Sequence, residues 1–381
     1  MIRIDDASKC FNILIDAREF RAGKMTGIGR VLKGLGHSIL CENWIHKITM
    51  GGFTRNNLPK DLIDHHRLNF QRLNDSFFIS EFQLSRLSQK NFSLYISPYP
   101  KLPLFGTGCP SIHIIHDVLD LTSYFYRRRV KRFFDLIRLK RAIKKASLTW
   151  YDSNWSMLET EKLVGCVGRN PKVRHLGIES RYRSTKTVGD EKVLRRYDLR
   201  KGYILCIGNG LPHKNLSVLL EIARQLKRPL VFVGVSEINR LYWSNFDRDE
   251  RTQWIQYVEE NDLPAIYRGA FCLAQPSTAE GYGYPPLEAM ACGTPAVVSN
   301  IPVLVETTGG NALSADPENP GNWVDAIGAL EGSELRQNLI EKGLAWVEPM
   351  KGSRGWRNHL SDIRELIDFN EIQNNQHSSA C

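Results

Sequence analysis

Residues 274–300 read AQPSTAEGYGYPPLEAMACGTPAVVSN, and two carboxylates, Glu280 and Glu288, lie eight positions apart within them. The apolar residues that lead into this segment predict a buried strand, and a glycine-rich turn, residues 281–283, follows the first carboxylate. Pro286 suits the first turn of a helix, and a Gly-Thr-Pro sequence ends that helix before a second apolar strand. The pattern therefore places Glu280 in a loop and Glu288 in the first turn of a helix.

A strand, a glycine loop and a helix in this order bring backbone N–H groups and a positive helix end to one point, which suits an anion such as a diphosphate. Carboxylates suit a different partner, because they accept hydrogen bonds from vicinal hydroxyls such as those of a ribose or a hexose. A nucleotide sugar contains all three chemical groups. The alternative is a simple strand–helix unit in which the glycines only turn the chain and both carboxylates are solvated.

The segment PSTAEGYGYPPLEAMACGTP, residues 276–295, resembles the Glu-x7-Glu signature of retaining glycosyltransferases of the GT-B fold, family 4, also called group 1. The resemblance implies an α/β protein with two Rossmann-like domains that face each other across a cleft. It also implies that Glu280 contacts hydroxyls of the transferred sugar and that Glu288 holds the ribose. The diphosphate would then lie against the backbone of the residues between the two carboxylates, Gly281, Tyr282, Gly283 and Tyr284.

A second motif, GNGLPHKN at residues 208–215, follows a predicted strand and precedes a predicted helix. Lys214 is a point cation near the start of that helix, a favourable position for phosphate oxygens. The motif resembles the Gly-Asn-x-x-Pro-His-Lys-Asn segment of family 4, whose lysine neutralises the donor diphosphate. Asn209 stands where many relatives carry arginine, so this donor site is expected to have one side-chain charge fewer.

Near the N-terminus, an apolar strand candidate ends in Asp16-Ala17-Arg18, and the sequence TGIGR at residues 26–30 opens a predicted helix. Gly27 and Gly29 alone indicate no more than a flexible helix start. The combination resembles the N-terminal segment of many family 4 enzymes, where these glycines lie near the donor diphosphate and the acceptor.

The predicted strand at residues 112–115 ends in His116-Asp117. A lone histidine is usually structural, but His116 follows the carboxyl end of a buried strand, where open α/β sheets bind ligands. The resemblance implies that His116 reaches a hydroxyl of the donor sugar or stabilises the developing oxocarbenium ion. His116 and Glu280 are therefore the predicted catalytic residues.

Residues 127–145 contain ten basic side chains and one acid, Asp135. Apolar residues recur among them at spacings that roughly fit one helical face. The helix either packs this face on the core and leaves its basic side solvated, or it rests on an anionic membrane surface. Nucleic acid is not expected as a partner, because no known recognition motif accompanies the charge. The basic residues are Arg127, Arg128, Arg129, Lys131, Arg132, Arg138, Lys140, Arg141, Lys144 and Lys145, and the apolar ones are Val130, Phe133, Phe134, Ile137 and Ile143.

A chain of 381 residues with 42% hydrophobic content predicts two domains. We expect an N-terminal Rossmann-like acceptor domain at residues 1–182 and a nucleotide-sugar domain at residues 198–352. The polar sequence 179–200 predicts the linker. The resembled fold implies that residues 353–381 form a helix that crosses back to the first domain, followed by a loose polar tail from Gln373.

The net charge of +10 favours an anionic partner. Eight scattered cysteines without a Cys-x-x-Cys pair indicate a reducing compartment, and neither a signal peptide nor a membrane-spanning segment is evident. These features predict a cytoplasmic protein, with peripheral attachment to the inner face of the plasma membrane if the basic helix binds lipid. The cysteines are Cys10, Cys41, Cys109, Cys166, Cys206, Cys272, Cys292 and Cys381.

The resulting hypothesis is metal-independent, retaining transfer of a mannose-like or glucose-like hexose from a nucleotide-diphosphate sugar to a glycan or lipid-linked saccharide. Assembly of a surface polysaccharide such as lipopolysaccharide would use such a reaction, and no cofactor is expected beyond the donor substrate. The alternative is a non-catalytic protein of the same fold that binds nucleotide sugars or phosphoglycans.

Gln256 or a neighbour stands at a position where family members commonly carry glycine, so the nucleobase of the donor is not predicted. The charged residues 247–249 are expected to be solvated surface, and the His65-His66 pair has no metal-ligand spacing.

Overall fold

The computed structural model describes residues 10–21, 25–122, 129–247 and 249–378. The chain forms two compact units, one of Met1–Gly177 with Gly352–Cys381 and one of Ile178–Lys351. The chain therefore leaves the first unit once, completes the second, and returns. Each unit has its own parallel sheet.

The first unit is built on one parallel sheet. Its strands, within the described residues, are β1 Phe11–Asp16, β2 Ile45–Gly52, β3 Leu68–Arg72, β4 Leu94–Ser97, β5 Ser111–Ile115, β6 Leu148–Tyr151 and β7 Pro171–Val173. Their order in the sheet is β3-β2-β1-β4-β5-β6-β7, so the direction of the connections reverses between β1 and β4. Open α/β sheets bind ligands at such a reversal, beyond the carboxyl ends of the strands. The loops after β1 and β4 thus flank the expected ligand crevice of this unit.

Helices cover both faces of this sheet, which is why its central strands are almost continuously apolar and buried. The C-terminal helix, Arg357–Ser378, belongs to this unit as well. It extends to Ser378, past Gln373, where the sequence predicted a loose tail; no glycine or proline interrupts this stretch. The other described helices are α1 Gly27–Leu40, α2 Lys60–Ile63, α3 Phe77–Ser88, α4 Leu119–Thr122, α5 Arg129–Lys145 and α6 Asn154–Val164.

A buried carboxylate attaches the C-terminal helix to the sheet. Asp362 accepts a hydrogen bond from the indole N–H of Trp150 at 2.8 Å and pairs with Lys172 at 2.7 Å and Arg174 at 2.8 Å. Burial alone would raise the pKa of Asp362, but the hydrogen bonds from Arg174 and Lys172 outweigh burial and lower the pKa. The helix is therefore held to β6 and β7 by charge as well as by apolar packing.

The second unit repeats the architecture. Its strands, among the described residues, are β8 Ile204–Ile207, β9 Leu230–Val233, β10 Gln253–Ile255, β11 Cys272–Gln275, β12 Ala296–Ser299 and β13 Leu313–Ala315, in the parallel order β10-β9-β8-β11-β12-β13. Connections reverse between β8 and β11, so the loops after these two strands flank the expected ligand crevice of the second unit. The described helices are α7 Asp190–Arg196, α8 Leu216–Ile222, α9 Glu237–Ser244, α10 Leu263–Gly269, α11 Tyr284–Ala291, α12 Pro302–Thr308, α13 Pro320–Ala329 and α14 Ser333–Val347.

The segment predicted as a linker, residues 179–200, is instead part of the second unit, which begins at Ile178 and not at residue 198. This segment contains α7, whose first residue, Asp190, forms a bidentate pair with Arg268 at 2.6 and 2.7 Å. The charged residues that indicated a solvated linker thus include one, Asp190, that forms an ion pair inside the second unit.

Within the four described ranges, no helix combines the length and the apolar character needed to cross a membrane.

Replacing Asp190 by asparagine tests the contribution of this pair. The hydrogen bonds from Arg268 lower the pKa of Asp190 to about 2, whereas an unfolded chain has a value near 3.9. The pair therefore stabilises the folded state fully above about pH 4, and this stabilisation is lost as the pH falls toward 2. We expect Asp190→Asn to lower the free energy of unfolding at pH 7 by about 1–2 kcal/mol, a value reduced for solvent screening.

Urea unfolding of both chains between pH 7 and pH 3 measures this difference. The difference between the two chains should begin to shrink below pH 4 and fall to about half by pH 3. A difference that stays constant over the whole range would show that the carboxylate charge of Asp190 is not what stabilises the segment.

Candidate functional site

The loops after β8 and β11 are joined to each other at the strand-order reversal of the second unit. The backbone N–H of Thr278 donates to the carbonyl oxygen of His213 at 2.8 Å. The side chain of Asn215 donates to the carbonyl oxygen of Pro276 at 3.1 Å, from a left-handed backbone conformation that asparagine tolerates. These contacts fix the two predicted motifs, residues 208–215 and residues 276–295, against each other.

Lys214 and Glu280 form an ion pair at this junction. The Lys214 ammonium lies 2.7 and 2.9 Å from the two carboxylate oxygens, and only 16% and 9% of the two side chains are exposed. Glu280 lies in a loop, as predicted. Burial opposes ionisation of Glu280, but the Lys214 charge outweighs burial and lowers the pKa of the carboxyl group. Glu280 is therefore an ionised carboxylate held next to a cation.

Two residues that the sequence analysis missed hold the same carboxylate. The side-chain amide of Gln275 and the hydroxyl of Ser277 each donate to one oxygen of Glu280 at 2.6 Å. Both are buried and follow the apolar part of β11. Polar side chains directly after an apolar strand were the available signal. Together with Lys214, they restrict Glu280 to one orientation.

Glu288 lies in α11 and is almost completely buried. The helix begins at Tyr284, two residues before the predicted start, so Glu288 is in the second turn and not in the first. The hydroxyl of Tyr267, on α10, donates to the Glu288 carboxylate at 2.6 Å. Tyr267 was not predicted, because nothing in its local sequence indicates which side chain it reaches.

The early start of α11 results from Gly283. This residue caps the helix with a φ of +94°, and a Cβ at this position would lie 2.5 Å from the side chain of Leu304. Only glycine fits both constraints. The turn from Gly281 to Tyr284 thus brings its backbone to the amino end of α11, next to the loop that holds Glu280.

Asn209 shapes the loop that precedes Lys214. Its side-chain oxygen accepts the backbone N–H of Leu211 at 3.1 Å, and its carbonyl oxygen accepts the side-chain amide of Asn239 at 2.7 Å. These contacts form a side-chain-stabilised turn. In this structure Asn209 therefore organises the backbone near the lysine and adds no charge to it.

His116 lies at the end of β5 in the first unit, with both ring nitrogens bonded. Nδ1 is 2.5 Å from a carboxylate oxygen of Asp152, and Nε2 is 3.1 Å from the carbonyl oxygen of Pro98. Burial would lower the pKa of His116, but the Asp152 carboxylate outweighs burial and raises the pKa. Both ring nitrogens face oxygen acceptors, an arrangement that favours the protonated ring. Neither nitrogen is available for a sugar hydroxyl in this arrangement.

Gly27 and Gly29 form the start of α1, also in the first unit. The N–H of Gly29 donates to the hydroxyl of the capping residue Thr26 at 3.0 Å, so this donor is used within the helix cap. A Cβ at Gly27 would meet no atom of the described residues within 4 Å, so this glycine is not required by close packing.

The basic helix α5 has two different halves. In the second half Ile143 is buried, as the core-facing hypothesis predicted, and so are Leu139 and Ala142. In the first half, Val130 and Phe133 are 72% and 61% exposed. The core-facing hypothesis is therefore wrong for the first half, because the helix extends beyond the core it packs on. Arg127 and Arg128 lie outside the described residues.

Two other predictions concern the charged residues 247–249 and the absence of a metal site. Asp249 and Asp247 are not simply solvated: Asp249 pairs with Arg251 at 2.6 Å, and Asp247 accepts from Thr252 at 3.0 Å. Residue 248 lies outside the described residues. The described parts of the chain contain no cluster of three or more His, Cys, Asp or Glu side chains suited to a metal ion.

Solved structures share this two-unit architecture. The protein is similar to sucrose-phosphate synthase from Thermosynechococcus elongatus, with a TM-score of 0.73 and 16% identity over 98% of this chain and 100% of that one. It is also similar to Anabaena Alr3699/HepE solved with UDP-glucose, with a TM-score of 0.72 and 17% identity over 95% of this chain and 100% of that one. Two parallel-sheet Rossmann-like units of this kind define a GT-B fold, as predicted.

Residues 193–346 match the family model described as "Glycosyl transferases group 1". A curated relative, O-antigen chain mannosyltransferase B from Escherichia coli, is 31% identical over 251 residues, which are 62% of this chain and 65% of that protein. This chain thus spans just under two thirds of that relative's length. Over residues 193–346 the chain is therefore similar to the group 1 glycosyltransferases.

A matched pair of tyrosine variants tests whether Tyr267 positions Glu288 for ligand binding. Tyr267→Phe removes the hydrogen bond to Glu288, whereas Tyr203→Phe removes an equally short one, 2.6 Å, to the carbonyl oxygen of Ile266. We expect Tyr267→Phe to weaken nucleotide binding about fivefold, the equivalent of one ordinary hydrogen bond. Tyr203→Phe should lower stability and leave affinity unchanged.

Titration calorimetry with the nucleotide that binds the native chain measures both effects. Equal losses of affinity in the two variants would mean that Tyr267 acts only through the stability of the unit.

Proposed function

We propose that the protein transfers a hexose, with retention of anomeric configuration, from a nucleotide-diphosphate sugar to a glycan acceptor during surface polysaccharide assembly. The similarity to an O-antigen chain mannosyltransferase supports this process and a mannose-like sugar. HepE, the structural neighbour solved with UDP-glucose, supports a nucleotide-sugar donor. We assign the donor to the second unit and the acceptor to the first.

The observation that carries the proposal is the contact between Lys214 and Glu280. In a nucleotide sugar, a single oxygen joins the sugar to the diphosphate, so an anion and a hydroxyl-rich ring meet at one point. A lysine and a carboxylate in direct contact suit this junction: the ammonium faces the phosphate, and the carboxylate accepts the sugar hydroxyls. Negative charge grows on the diphosphate as the glycosidic bond breaks, so Lys214 would stabilise the transition state more than the ground state.

The surroundings of Glu280 favour an orienting role over a nucleophilic one. Its carboxylate accepts hydrogen bonds from Lys214, Gln275 and Ser277, and its pKa is lowered. Such a carboxylate is a weak base and a weak nucleophile. We therefore propose that it holds the sugar while an acceptor hydroxyl bonds to the anomeric carbon from the face that the diphosphate leaves. The bond from that carbon to the diphosphate oxygen breaks, and the hydroxyl proton passes to the departing diphosphate, so the configuration is retained.

Glu288 would hold the ribose. Its buried carboxylate, oriented by Tyr267, can accept both vicinal hydroxyls. The backbone from Gly281 to Tyr284, at the amino end of α11, would contact the diphosphate that links ribose and sugar. No metal or cofactor takes part in these steps, and the nucleotide sugar enters as a substrate.

Thermal unfolding with UDP, GDP and ADP, each free and as a sugar conjugate, tests donor binding. One nucleotide series should raise the midpoint of the native chain, because a ligand selective for the folded state stabilises it. Glu288→Ala should abolish the shift. If no nucleotide shifts the midpoint of the native chain, the proposed function is wrong.

Turnover separates a transferase from a non-catalytic binding protein. With the donor identified, we expect Glu280→Gln to reduce turnover by about a hundredfold or more, because the charge that orients the sugar is lost, and to leave nucleotide protection in place. NMR of the product anomer tests retention. Thermal protection without any consumption of donor would favour the binding protein.

We also propose that the exposed half of α5 rests on anionic lipid. Val130 and Phe133 are largely exposed and lie among basic residues of the same helix. In sedimentation with phosphatidylglycerol vesicles, Val130→Ser/Phe133→Ser should reduce the bound fraction about fivefold or more. Ile238→Ser/Leu241→Ser, which removes exposed apolar residues from α9, is the matched control. Equal loss in both double variants, or equal binding to neutral vesicles, would contradict a specific role of α5.

A further inference from the structure

A small cavity lies in the first unit between the loop that follows β4 and the second half of α5. Its volume is about 280 Å³, just below the range of roughly 300–1,000 Å³ that is usual for pockets of drug-sized ligands. Part of its lining comes from the loop, between Leu102 and Thr107, and the rest comes from the helix. The cavity is therefore of a size for a small ligand.

Three cations of α5 line this small cavity. Arg138, Arg141 and Lys145 follow one another at intervals of three and four residues, so they share one face of the helix. The cavity's lining, as far as the structure describes it, includes no aspartate and no glutamate. Its lining is thus positively charged without a carboxylate to balance it.

The adjoining cavity in the crevice of the first unit has a different charge. Its volume is about 1000 Å³, and it shares Leu104 and Arg138 with the small cavity. Side chains of both signs line it. The carboxylates are Asp117, Asp120 and Asp135, and the basic residues are Lys101, His116, Lys131 and Arg138. An anion would therefore meet carboxylates in the larger cavity but none among the lining residues of the small one.

The cations of the small cavity are only partly paired inside the protein. Arg138 pairs with the buried Glu81 at 2.8 Å. Arg141 donates to the carbonyl oxygen of Leu104, which is neutral. Within the described ranges, neither Arg141 nor Lys145 pairs with a carboxylate. Two of the three cations thus have no counter-charge.

The lining also contains hydrogen-bond donors that are not used. The Nε–H of Arg138 is buried and has no partner among the described residues, although Nη2 of the same side chain donates to Glu81 and to the carbonyl oxygen of Leu102. Buried donors without an acceptor are costly and rare. The hydroxyl of Thr107 likewise makes no hydrogen bond with a described residue. The small cavity therefore lacks acceptor oxygens, and an oxyanion would supply them.

We propose that the small cavity binds the phosphate group of a small soluble ligand, either inorganic phosphate or a phosphate monoester of a few carbon atoms. A guanidinium donates to two phosphate oxygens at once, and an ammonium adds a point charge, so Arg141 and Lys145 provide both kinds of contact. Thr107 donates its hydroxyl to a third oxygen. This site lies apart from the donor motifs of the second unit and does not rest on the proposed function.

A phosphate in this position would connect the loop to the helix. Leu104 and Arg138 line both cavities, so a ligand that holds the loop against α5 also fixes part of the wall of the crevice. The N–H of Gly106 donates to the carbonyl oxygen of Pro103 at 3.0 Å, within this loop. The expected effect of phosphate is therefore slower hydrogen exchange of the Gly106 amide.

Inorganic phosphate, titrated into the full chain at constant ionic strength and followed by phosphorus NMR, is the probe. Saturable binding is expected, at least tenfold tighter than that of acetate, because phosphate offers more charge and more acceptor oxygens. Equal binding of acetate would show that the site does not select phosphate. Attachment to phosphatidylglycerol vesicles without any binding of free phosphate would show that the cations serve a membrane surface, and would overturn the site.

A matched pair of lysine variants locates the site. Lys144 and Lys145 are neighbours and both are exposed, but only Lys145 lines the small cavity. Lys145→Gln should weaken phosphate binding about fivefold or more, the equivalent of one charged hydrogen bond, and should abolish the protection of the Gly106 amide. Lys144→Gln should change neither. Equal losses in the two variants would mean general attraction by the basic helix and no defined site.

Phosphate bound near Lys214 in the second unit is distinguished by Lys214→Ala. The small cavity should bind phosphate with unchanged affinity in that variant, and the Gly106 amide should still be protected. Loss of all phosphate binding in Lys214→Ala would assign the binding to the second unit and overturn the small-cavity site.

Discussion

The candidate chemistry of this protein depends on one buried ion pair, between Lys214 and Glu280. Neither charge would be stable in its largely buried position without the other, because removal from water is costly for each ion. The pair in turn requires the loops after β8 and β11 to be fixed, which the contacts of His213 with Thr278 and of Asn215 with Pro276 achieve. The backbone thus positions the charges, and the charges define what the crevice can bind.

Both units use the same topological device with different linings. In each, the order of parallel strands reverses once, and the loops on either side of the reversal form a crevice. In the second unit this crevice presents Lys214, Glu280 and the amino end of α11, which suit a charged, hydroxyl-rich ligand. In the first unit it presents aromatic side chains and a cationic helix face. One architecture therefore provides two chemically distinct linings, because the loops and helices beyond the strands, and not the sheets, determine them.

Charged residues were the least predictable part of the structure. The polar segment 179–200 suggested a linker, yet Asp190 pairs with Arg268, 78 positions away, and this pair holds the segment in the second unit. The basic helix α5 suggested one uniform face, yet its halves differ because the core ends partway along it. In both cases the residue types were interpreted correctly, but the type of a residue does not determine whether it is buried. Burial depends on which other parts of the chain pack against that residue.

The sequence by itself determined the alternation of strands and helices, the GT-B fold, the loop position of Glu280 and the helical position of Glu288. These follow from local hydrophobic periods, from glycine and proline positions and from a dense family motif. Only the tertiary structure decided which side chains pair. Lys214 bonds to Glu280, 66 positions away, Tyr267 donates to Glu288, and Asp152 contacts His116. Each of these pairs joins segments that come together through the order of strands in a sheet or the packing of neighbouring helices. That arrangement is a long-range property, which no local pattern in the chain encodes.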